Sequence, residues 1–323
     1  MKHIAGLILS LATALAPTML RAQDAWPSRP ITFLVPYAAG GYTDFVARVT
    51  ARYVENVLGK PVIVDHRPGA GGIVGTQAVA NAPPDGYMFC LCSIGAVSIA
   101  PFDPLQKVSY DPVKDLAPVG VVSSIAQVVI VKKALGVKTM SELVSYGKAN
   151  PGKLNYGSSG AGGLTHYSVE LFKARTGITA VHVPFKGGAQ STPAVIAGEV
   201  DFAFANMTDA LPQVQAGTVN GLAVTSHKRS TYLPDLPTVH EAFLPDYVVE
   251  TWNGVMAPAK TPEPIIRKLS ELLIKMADDP EVKEAMRRSG TDTIKTTPEE
   301  YQAQIQQEIA QWKPLIQEIA GKK

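Results

Sequence analysis

The chain of 323 residues has only two cysteines, Cys90 and Cys92. One residue between them is not the two-residue gap of thiolate metal sites and redox motifs. Alternate residues of a strand share a face but sit too far apart for relaxed disulfide geometry. The run Tyr87, Met88, Phe89, Cys90, Leu91, Cys92 therefore reads as a buried strand with two free thiols. The six histidines, at positions 3, 66, 166, 182, 227 and 240, show no metal-ligand spacing. No metal and no cofactor is expected. A phosphate loop with Gly-Lys-Ser/Thr is missing, as are internal repeats and low-complexity stretches. No run of basic residues exists, so a nucleic-acid partner, which is held largely through its phosphates, is not expected.

A second long apolar segment is also missing. The first one, from Ile4 to Leu15, follows Met1, Lys2 and His3 and is broken by Pro17. It falls short of the roughly 20 apolar residues of a membrane span, and Arg21 follows it. Residues 1–22 read as an export signal, cleaved near Ala22, although Leu20 is larger than the usual residue at its position. No cysteine follows to carry a lipid. The expected location is the periplasm. Cleavage removes Lys2 and Arg21, which leaves 28 basic against 28 acidic residues and no net charge.

What is there is a sequence 46% hydrophobic, too apolar for disorder and long enough for about two domains. Strand-like and helix-like stretches alternate. Ile31, Phe33 and Val35 open a strand stopped by Pro36. A helix follows from Thr43 or Asp44, with Val46, Val49, Tyr53 and Val57 at helical spacing and Gly59 at its end. Residues 71–82 read as a helix, and residues 119–131 as two apolar strand-like stretches. Ser141 reads as a helix cap. A helix from Leu164 stops at Gly177, and Thr261 with Pro262 reads as the start of another. Thr297, Pro298, Glu299 and Glu300 form a capping box for the last helix. This alternation predicts an α/β chain with mainly parallel sheets flanked by helices, whose ligand crevice lies beyond the carboxyl ends of the strands.

Two loops at such ends share a design of small residues and glycines before a helix. One runs through Ala39, Gly40, Gly41, Thr43 and Asp44, and the other through Ser158, Ser159, Gly160, Gly162, Gly163 and His166. Glycine lets the backbone approach a ligand, and a helix start offers unpaired N–H groups and a positive dipole end. Together they make an anion site without arginine; ordinary β-α turns account for either loop taken alone. A third loop, Lys186, Gly187 and Gly188, offers a positive charge or merely an exposed lysine. Asn206 and Asp209 follow another strand, as ligand contacts or an Asx turn. Enzyme motifs fail on spacing. Residues 157–161 lack the last glycine of a nucleophile elbow, and residues 69–75 carry the last glycine of a dinucleotide fingerprint one place late. A hydrolytic pair of Ser159 and His166 has no identifiable third member.

These residues, taken in order, resemble a known family. Trp26 to Ile31, residues 35–44, Arg67 to Gly72, Pro84 to Tyr87, residues 159–162, His166, residues 182–187, Leu233 to Thr238, and Trp252, Asn253 and Gly254 are similar to the solute-binding proteins of tripartite tricarboxylate transporters, the Bug family. Tyr42, where the family usually has proline, and Ala100, where it often has asparagine, depart from the pattern. The resemblance implies a two-lobed periplasmic-binding-protein type II fold, with lobe 1 at residues 26–123 plus 229–323 and lobe 2 at residues 124–228. It implies no catalysis and a monomer. A small carboxylate, a dicarboxylate or an aromatic acid, would lie between the lobes on the two glycine loops. Tyr37 and Ser93 would flank it, and Lys186, Gly187, Gly188, Asn206 and Asp209 would meet its far end. Membrane transporter subunits would be the partners. A sensor subunit for a membrane receptor would use the same cleft.

Overall fold

The structure is a computed structural model that describes residues 26–320. The predicted export signal lies outside the described residues. β1 (Ile31–Val35) leads into α1 (Tyr42–Leu58), followed by β2 (Val62–His66), α2 (Ile73–Ala80) and β3 (Met88–Ser93). A long strand, β4 (Leu116–Lys132), carries the chain into α3 (Met140–Ala149), β5 (Leu154–Ser158), α4 (Leu164–Thr176), β6 (Ala180–Pro184), α5 (Gly188–Ala197), β7 (Phe202–Asn206), α6 (Met207–Gln215) and β8 (Val219–Val224). The chain then returns through α7 (Val239–Ala242), β9 (Glu250–Pro258), α8 (Glu263–Met276), α9 (Pro280–Arg288), β10 (Asp292–Thr293) and α10 (Pro298–Ala320).

The α/β architecture has two sheets, each mixed. In the first, β2, β1 and β3 run parallel, and β9 lies antiparallel between β3 and β4. In the second, β6, β5 and β7 run parallel, β4 lies antiparallel beside β7, and β8 pairs antiparallel with β4. The parallel parts are those joined by crossover helices. The expected two stretches in residues 119–131 are one continuous strand. Its pairing changes partner between Ala126, opposite Glu250 of β9, and Gln127, opposite Asn206 of β7. Alternation along β4 sends Val119, Val122, Val128 and Ile130 to one face and Val121, Val129 and Val131 to the other, so each of two apolar layers continues through both sheets.

Several local expectations shift. The buried face of α1 is Val46, Ala47, Thr50, Ala51 and Val54, with Val57 exposed. Thr50 satisfies its hydroxyl on the Val46 carbonyl at 2.8 Å. The cap of α3 is Thr139, not Ser141; its side chain accepts from Glu142 N. The start of α8 lies one residue later than expected, with Pro262 at the boundary. The two cysteines are corrected outright: Cys90 and Cys92 form a disulfide with their Cα atoms 5.2 Å apart. Two extended rises would separate them by about 6.6 Å; local contraction of β3 brings both same-face side chains inside bonding range.

The capping box at α10 is reciprocal. Thr297 N donates to Glu300 Oε2 at 2.7 Å, and Glu300 N donates to Thr297 Oγ1 at 3.2 Å. The helix it starts buries Tyr301, Ile305, Trp312 and Ile316 in the core. Thr297→Ala is expected to lower unfolding stability by about 1 kcal/mol, read in urea melts. An unchanged midpoint would show that the cap contributes nothing.

Candidate ligand-binding site between the lobes

A narrow pocket lies where the two sheets meet. Four helices begin on it: α1 through Gly41, Tyr42 and Thr43, α4 through Leu164 and Thr165, α5 through Gly188, and α6 through Asn206. The residues that precede α1, α4 and α5 are Gly41, Gly163 and Gly187, which have no side chain to cap the first turn. Of the helices that start elsewhere, α3, α7 and α9 are capped by Thr139, Thr238 and Asp279, each accepting from its own first turn, whereas α2 and α8 have no side-chain cap. Helix starts without caps expose N–H donors and a positive dipole end. Among the described residues, no lysine, arginine or histidine lines the pocket.

Glycine lets the two lobes meet backbone to backbone. Gly71 has φ +59°, and a Cβ there would lie 2.0 Å from Gly163 N. A Cβ at Gly160 would lie 2.8 Å from Gly71 N, and one at Gly95 would lie 2.7 Å from Leu164 N. Ala38 N donates to the Lys186 carbonyl across the same seam at 2.8 Å. Tyr37 ties the first-lobe side together: its hydroxyl donates to Gly71 O at 2.8 Å and pairs with Ser93 Oγ at 2.7 Å. Burial pushes the Tyr37 phenol up to about 12, with the Ser93 hydroxyl opposing, so it remains a donor at neutral pH.

Of the predicted site residues, the structure places Tyr37, Gly41, Thr43, Ser93, Ser159, Gly188 and Asn206 on the pocket. The others support it from behind or lie at its rim. Asp44 faces its own loop, accepting from Gly40 N at 2.8 Å and meeting His66 Nε2 at 2.7 Å and Arg48. Burial would raise its carboxyl, but the Gly40 N–H, Arg48 and His66 outweigh burial and hold it low. Ala39 and Gly40 belong to that loop. Ser158 Oγ pairs with His182 Nε2 at 2.6 Å and accepts from Gly160 N at 3.1 Å. His166 Nδ1 accepts from Gly162 N at 3.4 Å, and its ring stacks on His182 with centroids 4.3 Å apart. These two histidines brace the second glycine loop. Ser159 Oγ pairs with Thr165 Oγ1 at 2.8 Å, so the serine hydroxyl that meets a histidine is that of Ser158, not Ser159. Lys186 is exposed and contributes its carbonyl, and Gly187 precedes α5.

Asp209 behaves differently from an exposed Asx turn. Its carboxyl accepts from the Tyr42 backbone N–H of the opposite lobe and from the Asn206 side chain, and its Oδ2 is shut off from solvent. Burial raises it to about 7 despite those two donors. A Cβ at Gly188 would lie 1.9 Å from Asp209 Oδ2, so this helix start is glycine for the carboxyl's sake.

Sequence reasoning missed Thr251 and Asn253 as lining residues and Gly71 as the point of closest approach. Thr165 and Leu164 were readable as the continuation of the second loop. Thr251 and Asn253 arrive on β9, where Asn253 stands opposite Ser93 and Ser123; only strand register brings them in.

The model of the tripartite tricarboxylate transporter family receptor, TctC, matches residues 46–320. The chain belongs to that family. Among its relatives, the UPF0065 protein in the tcbD-tcbE intergenic region of Pseudomonas sp. is 35% identical over 316 residues, 98% of this chain and 93% of that one. BugT of Bordetella pertussis is 32% identical over 319 residues, 99% of this chain and 97% of that one. Solved structures similar to it include a protein of R. palustris with adipate, at TM-score 0.87 and 32% identity, covering 91% of this chain and 98% of the other. MatC from Rhodopseudomonas palustris with bound malate aligns at TM-score 0.86 and 30% identity, covering 90% and 100%. The periplasmic binding protein BugD aligns at TM-score 0.87 and 34% identity, covering 91% and 99%.

The raised Asp209 carboxyl gives a pH dependence. A group whose carboxyl titrates higher in the folded, closed state stabilises it fully below the ordinary carboxylate range and loses that contribution as pH rises through about 7. Thermal melts of the protein and of Asp209→Asn are expected to diverge as pH falls from 8 to 5, the parent gaining relative to the variant by up to about 1.4 kcal/mol per pH unit. Parallel curves would show that Asp209 titrates normally.

Proposed function

We propose that this family member captures a small carboxylate between its two lobes in the periplasm and delivers it to a membrane transporter of the tripartite tricarboxylate type. The observation that carries this reading is the convergence of four helix starts, three of them preceded by glycine, on one pocket with no side-chain cation. Peptide N–H groups and helix dipoles hold an anion there without a counter-ion, and lobe closure removes the water that would screen them. Adipate and malate in two similar proteins support a carboxylate as the class of solute. Binding takes no covalent chemistry: the pocket holds no nucleophile with a base beside it, since the hydroxyls of Ser159 and Thr165 pair with each other.

Closure depends on the bare backbone at Gly71. With φ +59° and 2.0 Å to Gly163 N, a methyl group there holds the lobes apart. A thermal-shift screen of mono-, di- and aromatic carboxylates is expected to find stabilisation that grows with concentration; none by any acid contradicts the reading. For an acid found in that screen, Gly71→Ala is expected to weaken binding about tenfold or more, the size of an overpacking penalty, while an unchanged affinity would show that the seam does not close on the ligand. Delivery is read separately: uptake of that acid is expected to fall in cells lacking this protein and to return on complementation. Unchanged uptake would leave binding intact and contradict transport.

A further inference from the structure

Two of the pocket's hydroxyls are already engaged. Tyr37 already directs its hydrogen at Gly71 O, and the hydroxyl of Tyr42 pairs with Ser123 Oγ at 2.8 Å. Against this, Asn253 Oδ1 is fully buried and has no hydrogen-bond partner among the described residues. The orientation of that amide is fixed, because Nδ2 donates to the Trp252 carbonyl at 3.1 Å and a flipped amide would set two oxygens against each other. Asn253 sits on the floor of the pocket, on β9, opposite Ser93 and Ser123 of the flanking strands. A second unpaired acceptor, Asp209 Oδ2, lies just behind Gly188 of the pocket wall.

A buried acceptor left unpaired is destabilising, and a ligand that supplies a donor removes that penalty, whereas a plain acid seals the penalty in. A second carboxylate in the same place would set acceptor against acceptor with no cation nearby. We propose that the solute carries a hydroxyl or ammonium group on its carbon skeleton besides its carboxylate, and that Asn253 Oδ1 accepts from it. The inference rests on the carboxylate reading above and narrows it to hydroxy or amino acids; it makes Asn253 a specificity-determining residue.

Isothermal titration of the purified protein with four matched triads tests this: propionate, lactate and alanine; succinate, malate and aspartate; glutarate, 2-hydroxyglutarate and glutamate; phenylacetate, mandelate and phenylglycine. In at least one triad the hydroxy or amino member is expected to bind about tenfold or more tightly than its parent, as the pairing of one buried group implies. Asn253→Leu is expected to erase that ratio. Parents that bind as well as their derivatives in every triad with binding overturn the inference and leave the carboxylate reading standing. A ratio that survives in Asn253→Leu also overturns it. Binding of none of the twelve acids overturns both. If the variant does not fold, a crystal structure of the tightest complex decides: a ligand oxygen or nitrogen within about 3.2 Å of Asn253 Oδ1 supports the assignment, and any greater distance removes it.

Discussion

Everything at this site depends on peptide groups approaching one another with nothing between them. Gly71 and Gly160 of opposite lobes touch through backbone atoms, and Gly95 lies against Leu164 N in the same way. Gly41, Gly163 and Gly187 leave helix starts without a side chain. One constraint thus serves two ends. The seam shuts tightly because no Cβ intervenes, and the residues before α1, α4 and α5 have no side chain to cap the N–H donors at its edge, of which Tyr42 N–H is taken by Asp209. A cationic side chain in the same place would bind an anion more strongly in the open cleft, but it would add bulk to the seam and a charge to bury when no solute is present.

The frame that brings the glycines together is the pair of long antiparallel strands. β4 runs through both sheets, and β9 lies beside it opposite Ser123, Ser124, Ile125 and Ala126. Apolar layers continue across both sheets on either face, so the floor of the pocket is part of the core and is as rigid as the core. The walls are loops at strand ends. Their geometry is held by side chains behind the pocket, Asp44 on Gly40 N, Ser158 on Gly160 N and His166 on Gly162 N, and by the pocket-lining Tyr37 on Gly71 O. Asp209 is the exception that joins both lobes, one carboxyl receiving Tyr42 N–H from across the seam.

Much of this architecture was legible because it is local. Gly59 and Gly177 end their helices in the left-handed region as glycine alone readily does, and the capping box at Thr297 and Glu300 is visible as four letters. Strand, glycines and helix in succession gave the two loops and their place at the carboxyl ends of strands. What stayed hidden is non-local or quantitative. Nothing near Gly71 in the chain announces Gly163, and Thr251 and Asn253 reach the pocket through the register of β9. The disulfide of Cys90 and Cys92 depends on a contraction of about an ångström that residue type does not encode. The fate of Asp44 and Asp209 turns on which N–H each carboxyl finds, Gly40 from its own loop or Tyr42 from the opposite lobe.

The central claim is that bare peptide N–H groups, and no side-chain cation, hold a negative charge in a closed seam. Charge and shape are separated by comparing a bound acid with its own primary amide, which has nearly the same size but no charge and places N–H donors against N–H donors. Calorimetric dissociation constants for the two are expected to differ by about a hundredfold or more in favour of the acid, the scale of a charged hydrogen-bonded group in a desolvated site. Comparable affinities would contradict the account.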